Sequence, residues 1–266
     1  MSNCTSFNGT ILLHFNSSQS NSFSDIKWLY IMRFSNSQPF VSVIIPAYNA
    51  HNILPACLRK LKEQSYLSSR YEVIVVDNGS SLSLAPIVEA FEGVIYLVET
   101  KTGSYAARNL GIQHARGEIL AFTDSDCLPS PNWIENGVAQ LLNEPDAGLI
   151  GGHIQLSFKN PDAPTVMELC DYLSFGGFPQ RNYVERCRFG ATANVFTTRE
   201  VIAKVGDFNV SQLSGGDLQW GNRVAEAGYK LIYGADASVT HPARNRFSEL
   251  VKKARRLQGG AHDVRH

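Results

Sequence analysis

Two aspartates, Asp124 and Asp126, flank Ser125 at the end of the apolar run GEILAF. Carboxylates at i and i+2 just past a strand can face one site. There, one can hold a hard divalent cation while the other accepts sugar hydroxyls. The same three residues also make an ordinary polar turn, and the triplet alone does not choose. Asp77 closes a second apolar run, YEVIVV, before the turn residues NGSS. It suits a ribose hydroxyl or a base N–H, or an Asx-type bond to its own turn. Lys101, Arg108 and Asn109 lie in KTGSYAARN. A diphosphate needs positive or N–H groups, and an arginine can bridge oxygens in a fork; a surface ion pair is the plainer role. Asp217 follows Gly215 and Gly216, as a helix N-cap or as a base facing a pocket. Arg223, further along the same stretch, either steadies a carboxylate or phosphate or lies on a solvated face. His241 follows ASVT and precedes Pro242, a structural position that leaves a metal or phosphate role open.

Their positions follow from the elements between them. FVSVIIP, YEVIVVD, GVIYLVE and GEILAFTD read as strands. NILPACLRKLKEQ, LAPIVEAF, GSYAARNLGIQHA and SPNWIENGVAQLLNE read as helices. Alternation of this kind predicts a mostly parallel central sheet flanked by helices, an α/β fold. Ligands in such folds bind beyond the carboxyl ends of the strands. Pro46, Tyr48 and Asn49 mark the first strand end, and Asp77 with Asn78 the second. Glu99 and Lys101 mark the third, and Asp124 and Asp126 the fourth. Four strand ends can therefore share one crevice. Neither a G-x-G-x-x-G nor a G-x-x-x-x-G-K-[ST] loop follows the early strands, which argues against an NAD-type dehydrogenase and an ATPase.

Further on, CRFGATANVFTTREVIAKVGDF predicts a strand, then a helix from near Thr198 closed by Gly206. GGDLQWGNRVAEAG predicts a helix from about Asp217 to Ala227, with Gly228 as its stop. YKLIYGADASVTH is another strand region. Trp133 is expected to pack on the sheet, and Trp220 against either a sugar or the core. Residues 1–38, rich in Ser and Asn, read as an irregular arm. RNRFSELVKKARRLQGG places Phe247, Leu250, Val251, Ala254 and Leu257 at helical spacing among basic residues. Residues 244–266 thus read as a basic amphipathic helix or tail, at an anionic membrane surface or against the body.

The chain has 266 residues and a formal net charge of +0, with no broad basic footprint for nucleic acid. Cys4, Cys57, Cys127, Cys170 and Cys187 show no CxxC pair or zinc spacing and read as free thiols of a reducing compartment. No run of 18 or more apolar residues appears, and the first residues lack a signal-peptide pattern. The expected location is the cytoplasm, with a peripheral place at the inner face of the membrane.

Taken together, VSVIIPAYNA, YEVIVVDNGSS, KTGSYAARNLGIQHARGEILAFTDSDCLPSPNWI and GGDLQWGNRVAEAGYKLIY resemble the family-2 glycosyltransferases of GT-A fold, in order and spacing. The resemblance covers roughly residues 40 to 241. It implies a nucleotide-sugar-binding half, 39–129, merged with an acceptor-binding and catalytic half, 130–243. It implies that Pro46, Tyr48, Asn49, Asp77, Glu99, Lys101, Arg108, Asp124, Ser125 and Arg223 surround the donor. Asp126 of the D-x-D motif, with His241, would hold Mn²⁺ or Mg²⁺, and Asp217 would be the catalytic base of an inverting transfer. The family's acidic residues beside that base are Gly216 and Gln219 here.

The donor is expected to be a UDP-, GDP- or dTDP-sugar, and the acceptor a carbohydrate or lipid-linked hydroxyl of polysaccharide or glycolipid synthesis at the cell envelope. Two other readings stand beside this one. A nucleotidyltransferase would carry a Gly-rich basic loop after the first strand, where this chain has PAYNAHN. A non-catalytic carbohydrate-binding relative would also tolerate Gly216.

Overall fold

The computed structural model describes residues 38–174, 179–212 and 214–263, with side chains as far as residue 255. The arm expected at residues 1–38 lies, apart from Gln38, outside the described residues. Strands β1 (Val41–Ala47), β2 (Tyr71–Asp77), β3 (Val94–Val98) and β4 (Ile119–Thr123) alternate with helices α1 (Leu54–Lys62), α2 (Ala85–Glu89) and α3 (Ser104–His114). All four strands are parallel, in spatial order β3-β2-β1-β4. Pro46 stands inside β1 and has no N–H to give. β1–β4 pairing ends two residues earlier, at Ile44↔Phe122, so the ladder loses nothing there.

The other half is mixed, a correction to the mostly parallel sheet expected. β5 (Leu128–Pro129), β6 (Ala147–Ser157), β7 (Asn194–Thr198) and β8 (Lys230–Pro242) extend the sheet in the order β7-β6-β8-β5. β7 runs antiparallel to both β4 and β6, β6 and β8 are parallel, and β5 is antiparallel to β8. The apolar runs were legible as strands, but their direction depends on long connections whose course the pattern does not encode.

Alternate residues of β1 feed two cores. Val41, Val43 and Ile45 pack with Leu54, Leu58 and Leu61 of α1 and with Trp133, Ile134 and Leu141 of α4 (Trp133–Asn143). Ile44 faces the other way, onto α3, α7 (Arg199–Val205) and α8 (Gly216–Glu226). The sheet is thus covered on both faces, as near-continuous apolar strands require. Trp220 belongs to this second core, with its indole N–H donating to the Gly206 carbonyl at 3.0 Å. Thr198 caps α7 through the Val201 amide, and Gly228 ends α8 at φ +90°, a conformation side chains resist.

Two helices lie between β6 and β7, in a segment without a clear apolar period: α5 (Val166–Ser174) and α6 (Pro179–Cys187). A signal was present at the first. Thr165 and Glu168 form a capping box, with the Thr165 amide donating to Glu168 Oε2 at 2.8 Å and the Glu168 amide to Thr165 Oγ1 at 3.3 Å. The basic segment forms α9 (Phe247–Asp263). It is tied to α5 by Lys253 Nζ, 2.8 Å from Asp171 Oδ1. The four described cysteines are free.

Candidate active site

The loops at the strand ends are bound to one another. Asn49, at φ +50°, accepts from the Ser81 amide at 2.9 Å and donates its own amide to Ser80 Oγ at 2.8 Å. Asp77 is 3% exposed. Its Oδ1 accepts from the Ser80 amide at 2.9 Å, and its Oδ2 from the Tyr96 hydroxyl at 2.8 Å and the Leu84 amide at 3.3 Å. Burial pushes this carboxyl up, but those hydrogen bonds outweigh it and hold it below the ordinary range. Asp77 therefore organises its own turn, the plainer of its two readings. Asn78 joins the next loop: its amide donates to the Lys101 carbonyl at 2.8 Å and its Oδ1 accepts from the Gly103 amide at 2.7 Å. Glu99 and Lys101 are thus held by Asn78, one of the two polar residues that mark the second strand end. Tyr48 is 66% exposed at the mouth of the same loops, available to a ring stacked on it.

Asp124 follows β4 directly. Arg108, on α3 and 3% exposed, places Nη2 2.6 Å from Asp124 Oδ1. Arg108 Nε has no partner, and the guanidinium lies 5.7 Å from the Tyr105 ring centroid. The same cation opposes the effect of burial at Asp217. Burial pushes the Asp217 carboxyl up, and Arg108, the Leu218 amide and the Tyr105 hydroxyl act against that push without cancelling it. A single buried arginine thus pairs with Asp124 and acts through its charge on Asp217.

Asp126 is brought to His241 by β5. Leu128 pairs with Thr240 across β5 and β8, which lays the turn at Ser125 and Asp126 beside the end of β8. His241 Nε2 lies 3.5 Å from Asp126 Oδ2. Its Nδ1 donates to the Pro242 carbonyl at 2.9 Å, a bond that fixes the tautomer and leaves Nε2 facing the carboxylate. Burial pushes the Asp126 carboxyl up; His241 opposes the shift and Asp124 adds to it. Cys127 completes a cluster whose ligand atoms lie within 4.8 Å of one another. Its thiol is fully buried and pushed well above its ordinary range, so it stays protonated and packs. One carboxylate and one imidazole with a free Nε2 fit a divalent cation. The imidazole suits Mn²⁺ better than Mg²⁺, which prefers an all-oxygen shell.

Asp217 opens α8. Tyr105 donates to Asp217 Oδ1 at 3.2 Å and accepts from the Asp217 amide at 3.3 Å. The Tyr105 ring also fills the space beside Gly216, where a Cβ would meet ring carbons at 2.7 to 2.9 Å. The position that carries an acidic residue in the family pattern thus has no room for a side chain here. Asn109 clamps the adjoining segment, donating to the Phe208 carbonyl at 2.8 Å and accepting from the Phe208 amide at 3.1 Å. Arg223 is brought elsewhere: its Nη1 donates to the Val205 carbonyl at 2.8 Å and its Nη2 to the Asp207 carbonyl at 2.6 Å. These bonds give it a structural task at the end of α7.

Among known proteins, the sequence model of glycosyl transferase family 2 matches residues 42–205, more than half of the chain. Glycosyltransferase AglE of Haloferax volcanii is 38% identical over 235 residues, covering 86% of this chain and 75% of that protein. A chondroitin synthase of Pasteurella multocida is 32% identical over 225 residues, covering 72% of this chain but only 23% of its own length. Among solved structures, the mannosyltransferase PcManGT of Pyrobaculum calidifontis, in complex with GDP-Man and Mn²⁺, superposes with a TM-score of 0.68 at 22% identity. That match covers 91% of this chain and 72% of the other. TarS of S. aureus in complex with UDP reaches a TM-score of 0.59 at 17% identity, covering 76% and 60%. These likenesses show a GT-A-like α/β fold. Family membership sets aside the nucleotidyltransferase and non-catalytic readings. The chain belongs to glycosyl transferase family 2 and is a glycosyltransferase, an enzyme that moves a sugar from a donor to an acceptor.

Proposed function

We propose that the chain performs an inverting transfer, with Asp217 as the base, onto a carbohydrate or lipid-linked hydroxyl in polysaccharide or glycolipid synthesis. The observation that carries this is the setting of Asp217, held by the Tyr105 hydroxyl at 3.2 Å and acted on by the charge of Arg108, which pairs with Asp124. It relates a donor-side carboxylate to a half-buried carboxylate whose affinity for a proton is raised. That is the property a base needs if it is to take a proton from a hydroxyl during attack. The acceptor oxygen bonds to the sugar C1, the bond from C1 to the diphosphate oxygen breaks, and the acceptor proton passes to Asp217. A single displacement of this kind inverts the anomeric centre.

In this reading residues 39–129 hold the donor and residues 130–243 receive the acceptor. Tyr48 and Asn49 lie against the base, and the loop held by Asp77, Asn78, Glu99 and Lys101 cradles the nucleoside. Asp124 accepts donor hydroxyls, with Arg108 holding it in place and Ser125 beside it. Asp126 and His241 hold Mn²⁺ or Mg²⁺. When bound there, the cation would offset charge on the departing diphosphate. PcManGT was captured with GDP-Man and Mn²⁺, and TarS with UDP, which supports a nucleotide and a metal without choosing the nucleotide.

The test is a screen of UDP-, GDP- and dTDP-sugars for Mn²⁺-dependent release of nucleoside diphosphate, followed by determination of the product's anomeric configuration. An inverted product supports the reading. A retained configuration, or no turnover with any donor, contradicts it.

A further inference from the structure

Helix α5 is built inside out. Its acids point inward: Glu168 is 1% exposed and Asp171 0%. Glu168 accepts from the Lys159 and Thr165 amides at 2.7 and 2.8 Å, and Asp171 from the Arg244 amide at 3.0 Å and Lys253 Nζ at 2.8 Å. Three of its apolar residues point outward, with Val166 67%, Leu169 40% and Leu173 72% exposed. A helix facing water shows the opposite arrangement. The spacing 166, 169, 173 puts these side chains on one stripe. Helix α9 lies against α5 and adds Phe247, 70% exposed. Lys252 and Arg255 of α9 are also exposed. Among the residues of the two helices whose side chains are described, the fully exposed charges are Lys252 and Arg255, with Glu249 half-buried.

An exposed apolar stripe beside the exposed cations Lys252 and Arg255 matches the chemistry of one surface in particular, a bilayer carrying anionic headgroups. We propose that α5 and α9 form a membrane-docking face. Val166, Leu169, Leu173 and Phe247 enter the interfacial layer while Lys252 and Arg255 meet anionic headgroups. The face adjoins the candidate active site through Arg244. That residue donates its backbone amide and Nη1 to Asp171, and its charge reaches Asp126. Docking would set the site at the membrane surface, where a lipid-carried acceptor presents its hydroxyl. This last step rests on the sugar-transfer reading; the docking itself does not.

The experiment is vesicle flotation of the full 266-residue chain. It uses phosphatidylcholine vesicles with and without about 30% phosphatidylglycerol. The chain should float with the anionic vesicles and remain below with the neutral ones. Leu169→Asp with Leu173→Asp should lower the floating fraction at least about tenfold. Lys252→Glu with Arg255→Glu should remove the preference for anionic lipid. Far-UV circular dichroism and nucleoside diphosphate release, both unchanged, show that the variants fold. Three results overturn the proposal: wild-type chain that floats with neither vesicle, leucine variants that float as wild type, or leucine variants that split a dimer without changing flotation. Flotation with no turnover of any donor would support docking and sink the transfer reading instead.

Discussion

The Tyr105 hydroxyl lies 3.2 Å from Asp217 Oδ1 and 3.3 Å from the Asp217 amide nitrogen. One phenol thus orients the proposed base and satisfies the amide beside it at the start of α8. Tyr105 is itself held, stacked on Phe208 with ring centroids 5.8 Å apart. Burial pushes its own hydroxyl up to about 12, so it remains a donor throughout the working range. Tyr105→Phe removes the bond to the charged carboxylate, a contact of about 1.5–3 kcal/mol. The acid limb of the kcat profile should then move up by about one pH unit, and the melting temperature should fall by several degrees. An unmoved limb would give Tyr105 a packing role only.

Gly216→Glu writes the family's acidic residue back into the chain, yet it should not improve the enzyme. Its Cβ would meet the Tyr105 ring at 2.7 Å. The substitution should cost about 1–3 kcal/mol of stability, as overpacking does, and should lower kcat by displacing Tyr105. Denaturant melts with steady-state kinetics measure both effects.

Asp171 makes the attachment of α9 sensitive to acid. Burial pushes its carboxyl up, but Lys253 and the Arg244 amide outweigh that and hold it below the ordinary range. Its contribution is present above the unfolded carboxylate pKa and is lost as pH falls through the depressed folded value. Hydrogen exchange should show α9 loosening at acid pH before α1 does. Asp171→Asn should give the same loosening at neutral pH.

The pair Asp126 and His241 should carry the response to metal. With a nucleoside diphosphate present, Mn²⁺ should raise the melting temperature of the wild type. Asp126→Asn or His241→Ala should remove most of that shift. Cys127→Ala should keep it and lower only the baseline stability, because the thiol packs in the core.

Much of this was legible in the residues. β1 to β4 could be read from YEVIVVD and its counterparts because strands buried on both faces are continuous apolar runs. The cap at Thr198 and the stop at Gly228 were legible because both are local chemistry. Helix α5 was not read although Thr165 and Glu168 mark its start; which of its faces turns inward is set by Lys159, Arg244 and Lys253, which meet its acids from elsewhere in the chain. The link from Asp126 to His241 spans more than a hundred residues and exists because a two-residue strand pairs with β8. No local pattern carries that. Nor does local pattern separate Arg108, paired with the carboxylate of Asp124, from Arg223, spent on the carbonyls of Val205 and Asp207.

The central claim is that Asp217 takes the acceptor's proton. Single-turnover transfer by Asp217→Asn, with donor and acceptor saturating, tests it most directly. The account predicts a loss of about 10²–10⁴-fold in the transfer rate, with Mn²⁺-dependent nucleotide binding unchanged. Transfer at the wild-type rate with nucleotide bound would contradict it.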